Sequence, residues 1–580
     1  MKEKLCYDKY IDLRNMYEKK VSRVANVRMI MFIVMVISFI LKYYYYQVFF
    51  SLVFFLSLVS FVTMVIIHDK YFKVYDYYNK YVLVLDRYID RVNGNWKNFN
   101  DKGNDFIANN NYYLRDLDIM GDCSLFQYLS ICKTLGGREL LANKLSNIEV
   151  DKDELRLNQE LIEELCDDIN FCCDFQVIIN EYDGKKVHLS KDLDDFTKSD
   201  DKEFDFIIGL ICGFICISLF LLGIFNVISI SYFYGMFFFN VAISYLYVYI
   251  YGEDFKRVDK LINNYGNLKY IFSLVVSKNS SSTKMKKYVK DMKNGILSIN
   301  KLKELDGINS LRNNLLSSFV LNGFCCLNLF VKYKYSLFIN NYFDKLKNNV
   351  YNIEEMEAFI SLSTIGVVKE NKCMPVINDK IGLRFDGLKH PLIDENVCVS
   401  NDYDGKYGVN IITGSNMGGK TTFLRTIGIN LILMQAGTYV CGNNFFSSYF
   451  KIFTSMRVMD NIDEGISTFY GELLRIKDMV EYNGNGNMLV LVDEIFKGTN
   501  YNDRMYGALE VVNRLNNKNT LAFITTHDFE LCDSDNVYNY HVKEDYEGEK
   551  IIFDYKIRKG KCSSTNALYL MEKLGIVNKK

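Results

Sequence analysis

The stretch NIITGSNMGGKTTFLRTIG, residues 410–428, reads as a buried strand, a glycine-rich turn and the first turns of a helix. Within it GSNMGGKT, Gly414 to Thr421, has the spacing GxxxxGK[ST]. Glycines at such a strand-to-helix turn let backbone N–H groups close around phosphate oxygens, at a helix end whose dipole also favours negative charge. The cradle predicted from this pattern is Gly414, Ser415, Asn416, Met417, Gly418, Gly419, Lys420, Thr421 and Thr422. Lys420 is placed to reach the β- and γ-phosphates, and the Thr421 hydroxyl to ligate Mg²⁺. A glycine-rich turn of this length also arises without function, so its context decides the reading.

Two further runs supply that context. MLVLVDEIFKGT, Met488 to Thr499, is an apolar strand that delivers Asp493 and Glu494 at its end. Asp493 can hold Mg²⁺ through water, and Glu494 can polarise an attacking water. LAFITTH, Leu521 to His527, is another buried-strand run, and its terminal His527 is placed to touch a γ-phosphate. The ligands implied are ATP and Mg²⁺, and the catalytic candidates are Lys420, Glu494 and His527. His68 and His188 read as surface or interfacial, and His541 has no evident partner.

The 580 residues exceed one compact core, so several domains are expected. A composition of 49% hydrophobic and 15% aromatic residues with only 2 prolines, Pro375 and Pro391, favours long helices over disordered linkers. A net charge of -1 excludes a global basic field that would recruit nucleic acid or anionic lipid, leaving only local patches. The 15 cysteines include no CxxC pair suited to zinc, which points to reduced thiols in a cytoplasmic setting.

Apolar runs cluster twice: Met29 to Leu41, continuing through tyrosines to a second run from Val48 to Ile67, and later Phe206 to Phe225 and Val227 to Tyr251. A bilayer needs roughly 20 apolar residues per helix, so these read as two transmembrane hairpins. Buried hairpins in a soluble core are the competing reading, but such helices seldom lack charge over their whole length. Lys and Arg residues lie before the first run (Lys19, Lys20, Arg23, Arg28) and after the last (Lys256, Arg257, Lys260), which puts the sizeable domains on the cytoplasmic side. Charged stretches between the hairpins and from Glu253 to Ile365 show helical spacing. FVLNGFCCLNLFV, Phe319 to Val331, is short and carries two asparagines, so a buried helix is expected rather than a fifth span. From Gly382 the pattern turns to alternating strands and helices.

Taken together, the blocks HPLI (His390 to Ile393), TGSNMGGKTTFLRTIG, QAGTYV (Gln435 to Val440), GISTFYGEL (Gly465 to Leu473), VDEIFKGTNYND and TTHDFEL resemble the MutS family of DNA mismatch repair ATPases, within the wider ABC ATPase class. SLFQYLSICKTLGGRELLANKLSN, Ser124 to Asn147, is similar to the start of that family's helical core, and IEEMEAFISLS, Ile353 to Ser363, to its lever helix. The resemblance implies a homodimer that sandwiches ATP, with Ser467 contacting the γ-phosphate bound by the opposite subunit. No LSGGQ-type signature precedes the aspartate-glutamate strand, which argues against a half-transporter.

There are departures. The family's mismatch-reading domain has no counterpart here, Ser415 replaces the usual loop proline, and Val397 or Cys398 stands where an aromatic usually stacks on adenine. The expected architecture is an α plus α/β multidomain chain: residues 1–70 with the first transmembrane hairpin, a helical core-like region 71–204, a second hairpin 205–252, a helical core and lever 253–373, and an ABC-type α/β P-loop ATPase domain 374–580. The resemblance implies a Mg-dependent ATPase, with double-stranded DNA as partner and mismatch repair as the associated process, and the apolar runs add an anchor of about four membrane spans. The alternative is a membrane-bound ATP-driven clamp on a protein partner. The basic run TKMKKYVKDMKNG, Thr283 to Gly295, suits DNA phosphates, anionic lipid or a plain solvated face.

Overall fold

The computed structural model describes residues 6–45, 48–107, 111–146, 151–182, 188–194, 196, 203–378, 382–405, 407–415, 417–457, 468–484, 486–496, 500–547 and 550–562. The first helices are α1 (Tyr7–Tyr45), α2 (Val48–Val92), α3 (Tyr112–Asp116), α4 (Leu125–Leu129), α5 (Leu135–Ser146), α6 (Lys152–Asp167) and α7 (Ile169–Ile179). They are followed by α8 (Glu203–Ile224), α9 (Ser231–Ile250), α10 (Gly252–Tyr265), α11 (Leu268–Ser277), α12 (Thr283–Asn313), α13 (Leu315–Cys325), α14 (Leu327–Asn341) and α15 (Phe343–Val368). The C-terminal region adds α16 (Lys420–Gln435), α17 (Thr468–Tyr482) and α18 (Tyr501–Leu515) among ten strands in the described residues. Two compact units emerge: Met1–Leu129 with Leu165–Asn180 and Ser363–Lys580, and Ser130–Glu164 with Glu181–Leu362.

In the first unit, α1 and α2 form a hairpin whose two halves differ in chemistry. Where polar residues abound, tyrosines zip the helices: Tyr10 stacks on Tyr81 at 4.1 Å, Tyr17 on Tyr78 at 5.7 Å, and Tyr7 Oη donates to Asp86 Oδ1 at 2.5 Å. In the apolar windows only 6% of residues are buried, so Met29 to Ile66 present large hydrophobic side chains outward. Both helices exceed the apolar runs that predicted them, and α2 runs on to Val92. At 1.5 Å per residue that continuation adds roughly 35 Å of stalk. The buried Arg91 ends it, donating to the carbonyls of Tyr128 (2.6 Å) and Leu129 (3.4 Å).

The strands β1 (Val376–Ile377), β2 (Leu383–Leu388), β3 (Asn401–Gly405), β4 (Gly408–Thr413), β5 (Asn444–Ser447), β6 (Lys451–Ser455), β7 (Met488–Asp493), β8 (Thr520–Thr525), β9 (Tyr538–Glu547) and β10 (Lys550–Lys559) make two sheets. A four-stranded sheet has the order β1-β5-β2-β3, and a six-stranded one β10-β9-β4-β8-β7-β6. In the latter every pairing but β10 with β9 is parallel. β4 and β8 are buried at every position, as strands covered on both faces must be. The C-terminal ends of β4, β7 and β8 therefore open on one crevice, the usual ligand position in such sheets.

In the second unit, α8 and α9 pack against α13 and α14. The expected single buried helix over Phe319 to Val331 is instead broken. α13 and α14 meet at 90° at Cys326, which takes a positive φ of 49°. The break is held by amides: Asn240 Nδ2 donates to Gly323 O at 2.9 Å, and Asn322 Oδ1 accepts from Asn328 N at 3.0 Å. Among the described residues, four helices, α1, α2, α8 and α9, are long and apolar enough to cross a membrane, and the bent pair adds a fifth candidate.

Helix α15 carries two buried glutamates, Glu354 and Glu357, onto the start of α5, where Gly136 and Gly137 leave room. A Cβ on Gly136 would lie 2.1 Å from Glu354 Cδ. His188, expected near the surface, is drawn into this cluster by Glu139 Oε2 at 2.8 Å. Burial pushes the Glu357 carboxyl up to about 7, although Thr134 Oγ1 and the amides of Lys133 and Thr134 donate to it. The fold thus favours its neutral form. That contribution is complete below the usual 4.5 and is lost as pH rises through about 7. The melting temperature of the protein is expected to fall between pH 5 and 8, and Glu357→Gln to flatten the fall; an unchanged profile in the variant contradicts this assignment.

Candidate nucleotide site

The glycine turn after β4 is shaped by backbone that only glycine tolerates. Gly414 has φ 130° and Gly419 φ 86°, and a Cβ on Gly414 would lie 2.4 Å from Val542 Cγ2 and 2.9 Å from the Val542 carbonyl oxygen. Gly414→Ala is therefore expected to abolish nucleotide binding measured by fluorescence titration, while the far-ultraviolet dichroism stays that of the wild type. Gly419 opens α16, whose first residues are Lys420 and Thr421. Lys420, buried, donates from Nζ to the carbonyls of Gly414 (2.6 Å) and Ser415 (2.8 Å), so its ammonium lies across the loop. Thr422 follows in the same turn, its carbonyl accepting from Thr426 Oγ1, while Met417 is exposed at the loop tip.

Strand β7 brings Asp493 beside this helix start. Thr421 Oγ1 donates to Asp493 Oδ2 at 2.9 Å, and Thr525 Oγ1 to Oδ1 at 2.6 Å. A hydroxyl and a carboxylate oxygen side by side make a hard-oxygen pair of the kind Mg²⁺ takes alongside waters and phosphates. The glycine cradle and this pair together fit Mg-ATP.

Glu494 follows with φ 57°, in the left-handed region that a glutamate rarely occupies. Its amide donates to Thr525 Oγ1 (3.0 Å) and to the Thr525 carbonyl (3.1 Å), which turns the side chain away from the strand. Oε1 lies 3.0 Å from His527 Nε2, so the ends of β7 and β8 present a half-exposed carboxylate-imidazole pair. Phe496, also at positive φ, donates its amide to the buried Glu472 of α17 at 2.6 Å and meets Phe469 edge to face at 6.2 Å.

Of the residues singled out from sequence, the structure brings together Gly414, Ser415, Gly418, Gly419, Lys420, Thr421, Asp493, Glu494 and His527; Asn416 and Ser467 lie outside the described residues. Thr525 and Glu472 had not been singled out. Thr525 was signalled by the polar end of an otherwise apolar strand run, and Glu472 lies within the GISTFYGEL block, which assigned it no role. His390 of the HPLI block is buried, and burial lowers its imidazole to about 3; its unprotonated Nδ1 accepts from Leu392 N at 3.2 Å. Its amide donates to Cys398 Sγ at 3.4 Å. His541, without an evident partner in sequence, faces the Gly560 carbonyl at 3.1 Å.

A parallel sheet whose central strand feeds a glycine turn and helix, with acidic residues at the neighbouring strand end, defines an ATPase-type α/β domain. Residues 410–579 match MutS domain V, and this part of the chain is similar to proteins of the MutS family. It is 29% identical over 270 residues to the DNA mismatch repair protein MSH3 of Debaryomyces hansenii, covering 41% of this chain and 26% of that protein. It is 31% identical over 252 residues to the DNA mismatch repair protein MutS of Staphylococcus epidermidis (40% and 28%), and 30% identical over 210 residues to the endonuclease MutS2 of a Geobacillus species (35% and 26%). The matches thus span about a quarter of the length of these relatives.

Proposed function

We propose that this protein is a membrane-anchored, Mg-dependent ATPase of the MutS type, which dimerises around ATP and acts on double-stranded DNA. The observation that carries the ATPase reading is the Glu494-His527 pair set beside the Thr421-Asp493 pair at the mouth of the glycine loop. Lys420 would exchange its two loop carbonyls for β- and γ-phosphate oxygens. Thr421 and Asp493 would hold Mg²⁺, which when bound supplies neutralisation of phosphate charge. Glu494 orients the attacking water and accepts its proton, with His527 fixing the carboxylate and facing the γ-phosphate. Ser467 of the opposite subunit completes the site. The division into residues 1–70, 71–204, 205–252, 253–373 and 374–580 belongs to this reading, as does the cytoplasmic placement of core and ATPase.

The names of the relatives support DNA as partner. So does one face of α12, where Lys286, Lys290 and Lys293 are exposed at helical spacing, although Lys284 is turned inward to Glu355 at 3.1 Å. The test is ATP turnover of the solubilised full-length protein with homoduplex and mismatched DNA, together with duplex binding at rising salt. Stimulation, and affinity that drops steeply with salt, are expected from phosphate contacts. A rate indifferent to DNA would favour the second reading, a clamp acting on a protein partner or on the bilayer. That reading draws support from the apolar bundle of α8, α9, α13 and α14, which shares a unit with the long helix α12.

A further inference from the structure

We propose that Asp116 and Asp118, on the short segment that follows the N-terminal hairpin, are positioning residues for ATP turnover. They hold α17, the end of β6 and the phosphate-loop helix α16 in one frame. The inference rests on the ATP-sandwich reading above.

Asp116 is fully buried, and its carboxylate takes four donors: Thr454 Oγ1 at 2.7 Å, the amides of Met456 at 3.1 Å and Arg457 at 3.2 Å, and Arg475 Nη1 at 2.9 Å. A carboxylate buried this deeply is stable only when its acceptor sites are filled, so geometry at all four donors is set together. Thr454 is the penultimate residue of β6, Met456 and Arg457 follow the strand, and Arg475 lies two turns into α17. One side chain thus ties the strand before residue 458 to the helix that follows residue 467. α17 is also the helix whose Glu472 and Phe469 hold Phe496, two residues past Glu494. Arg475 is steadied further by the ring of Tyr112 at 4.3 Å and the Arg457 carbonyl at 3.2 Å.

Asp118 extends the frame to the phosphate loop. In a left-handed conformation, φ 53°, it accepts from Arg457 Nη1 at 2.6 Å and from Arg425 Nη1 at 3.1 Å, one turn beyond Thr421 on α16. Between the two aspartates, Leu117 fills the space left by Gly428, where a Cβ would lie 2.6 Å from Leu117 and 3.0 Å from Leu491 of β7. The segment is joined in turn to the stalk. Leu125 N donates to the Asp118 carbonyl at 2.8 Å, and Arg91 of α2 holds the carbonyls of Tyr128 and Leu129 at the end of α4. The hairpin therefore connects to α16 and α17 through these two aspartates.

Because α17 begins at the residue after Ser467, which the sandwich reading gives to the opposite subunit, the proposal places the effect of Asp116 chiefly in that subunit's site. Mixed dimers read this directly. Full-length, detergent-solubilised Asp116→Asn, and Arg475→Gln as a second variant from the other side of the contact, are each mixed with Lys420→Ala; Ser467→Ala mixed with Lys420→Ala is the reference pair. Each Asp116 or Arg475 variant alone is expected to bind a fluorescent ATP analogue like the wild type but to turn over at least about tenfold more slowly. Mixing with Lys420→Ala is expected to restore about a quarter of the wild-type rate, since about half of the dimers are mixed and each has one complete site. If the reference pair recovers activity while both test mixtures stay inactive, the proposal is overturned and the sandwich dimer stands. Wild-type turnover by either variant alone also overturns it. If the reference pair does not recover either, the dimer reading fails and the proposal with it.

Discussion

Glu494→Gln is expected to lower kcat by about 10²–10⁴-fold, the usual worth of a positioned general base, with ATP still bound. The amide keeps the shape of the carboxylate and can still meet His527, so the site's geometry is preserved. What is lost is the ability to take a proton from water. The backbone contributes to the prediction as well: Glu494 sits at φ 57° and is pinned by two hydrogen bonds from its amide to Thr525, so the substituted side chain leaves the backbone where the carboxylate left it. Single-turnover hydrolysis of radiolabelled ATP, with binding measured in parallel, checks this. Hydrolysis within a few-fold of wild type would remove Glu494 from the chemistry.

Lys420→Ala acts a step earlier. The ammonium is buried and already bound to two carbonyls, so it exchanges one pair of acceptors for another when phosphate arrives. Two charge-assisted bonds at about 1.5–3 kcal/mol each correspond to roughly 10²-fold or more in nucleotide affinity. The variant should thus fail to bind ATP at concentrations that saturate Glu494→Gln. Equilibrium titration with a fluorescent analogue distinguishes the two: tight binding by Lys420→Ala would mean that phosphate is held elsewhere.

The geometry of the proposed nucleotide site was legible in the sequence because its parts are local. A glycine turn must follow a strand and open a helix, and acidic or histidine residues at the ends of apolar strands must emerge at the sheet's C-terminal edge. The Cα register that pairs Asp493 with Thr525 and Ile412 with Thr525 is the physical form of that expectation. The apolar helices were legible for a similar reason, since hydropathy over about 20 residues is a local property.

What was not legible depends on chain segments far apart. Nothing around Asp116 announces that it will be buried against Thr454, a contact 338 residues away in sequence. The break at Cys326 escaped because its cause lies in other helices: the Gly323 carbonyl it exposes is taken by Asn240 of α9. The stalk that extends α2 to Val92 was hidden because its polar, tyrosine-rich half lacks the hydropathy signal that marked the rest. Glu357 is the same case in electrostatic form, an ordinary helix glutamate whose raised carboxyl follows from packing against α5.

The central claim is that an ATPase of the MutS type works here at a membrane. Its most direct measurement is the Mg²⁺-dependent ATP turnover of the full-length protein extracted by detergent from the membrane fraction, compared with Glu494→Gln prepared identically. The account predicts turnover by the wild type that vanishes in the variant. Recovery of the protein without detergent, or turnover that is absent or equal in the two preparations, would contradict it.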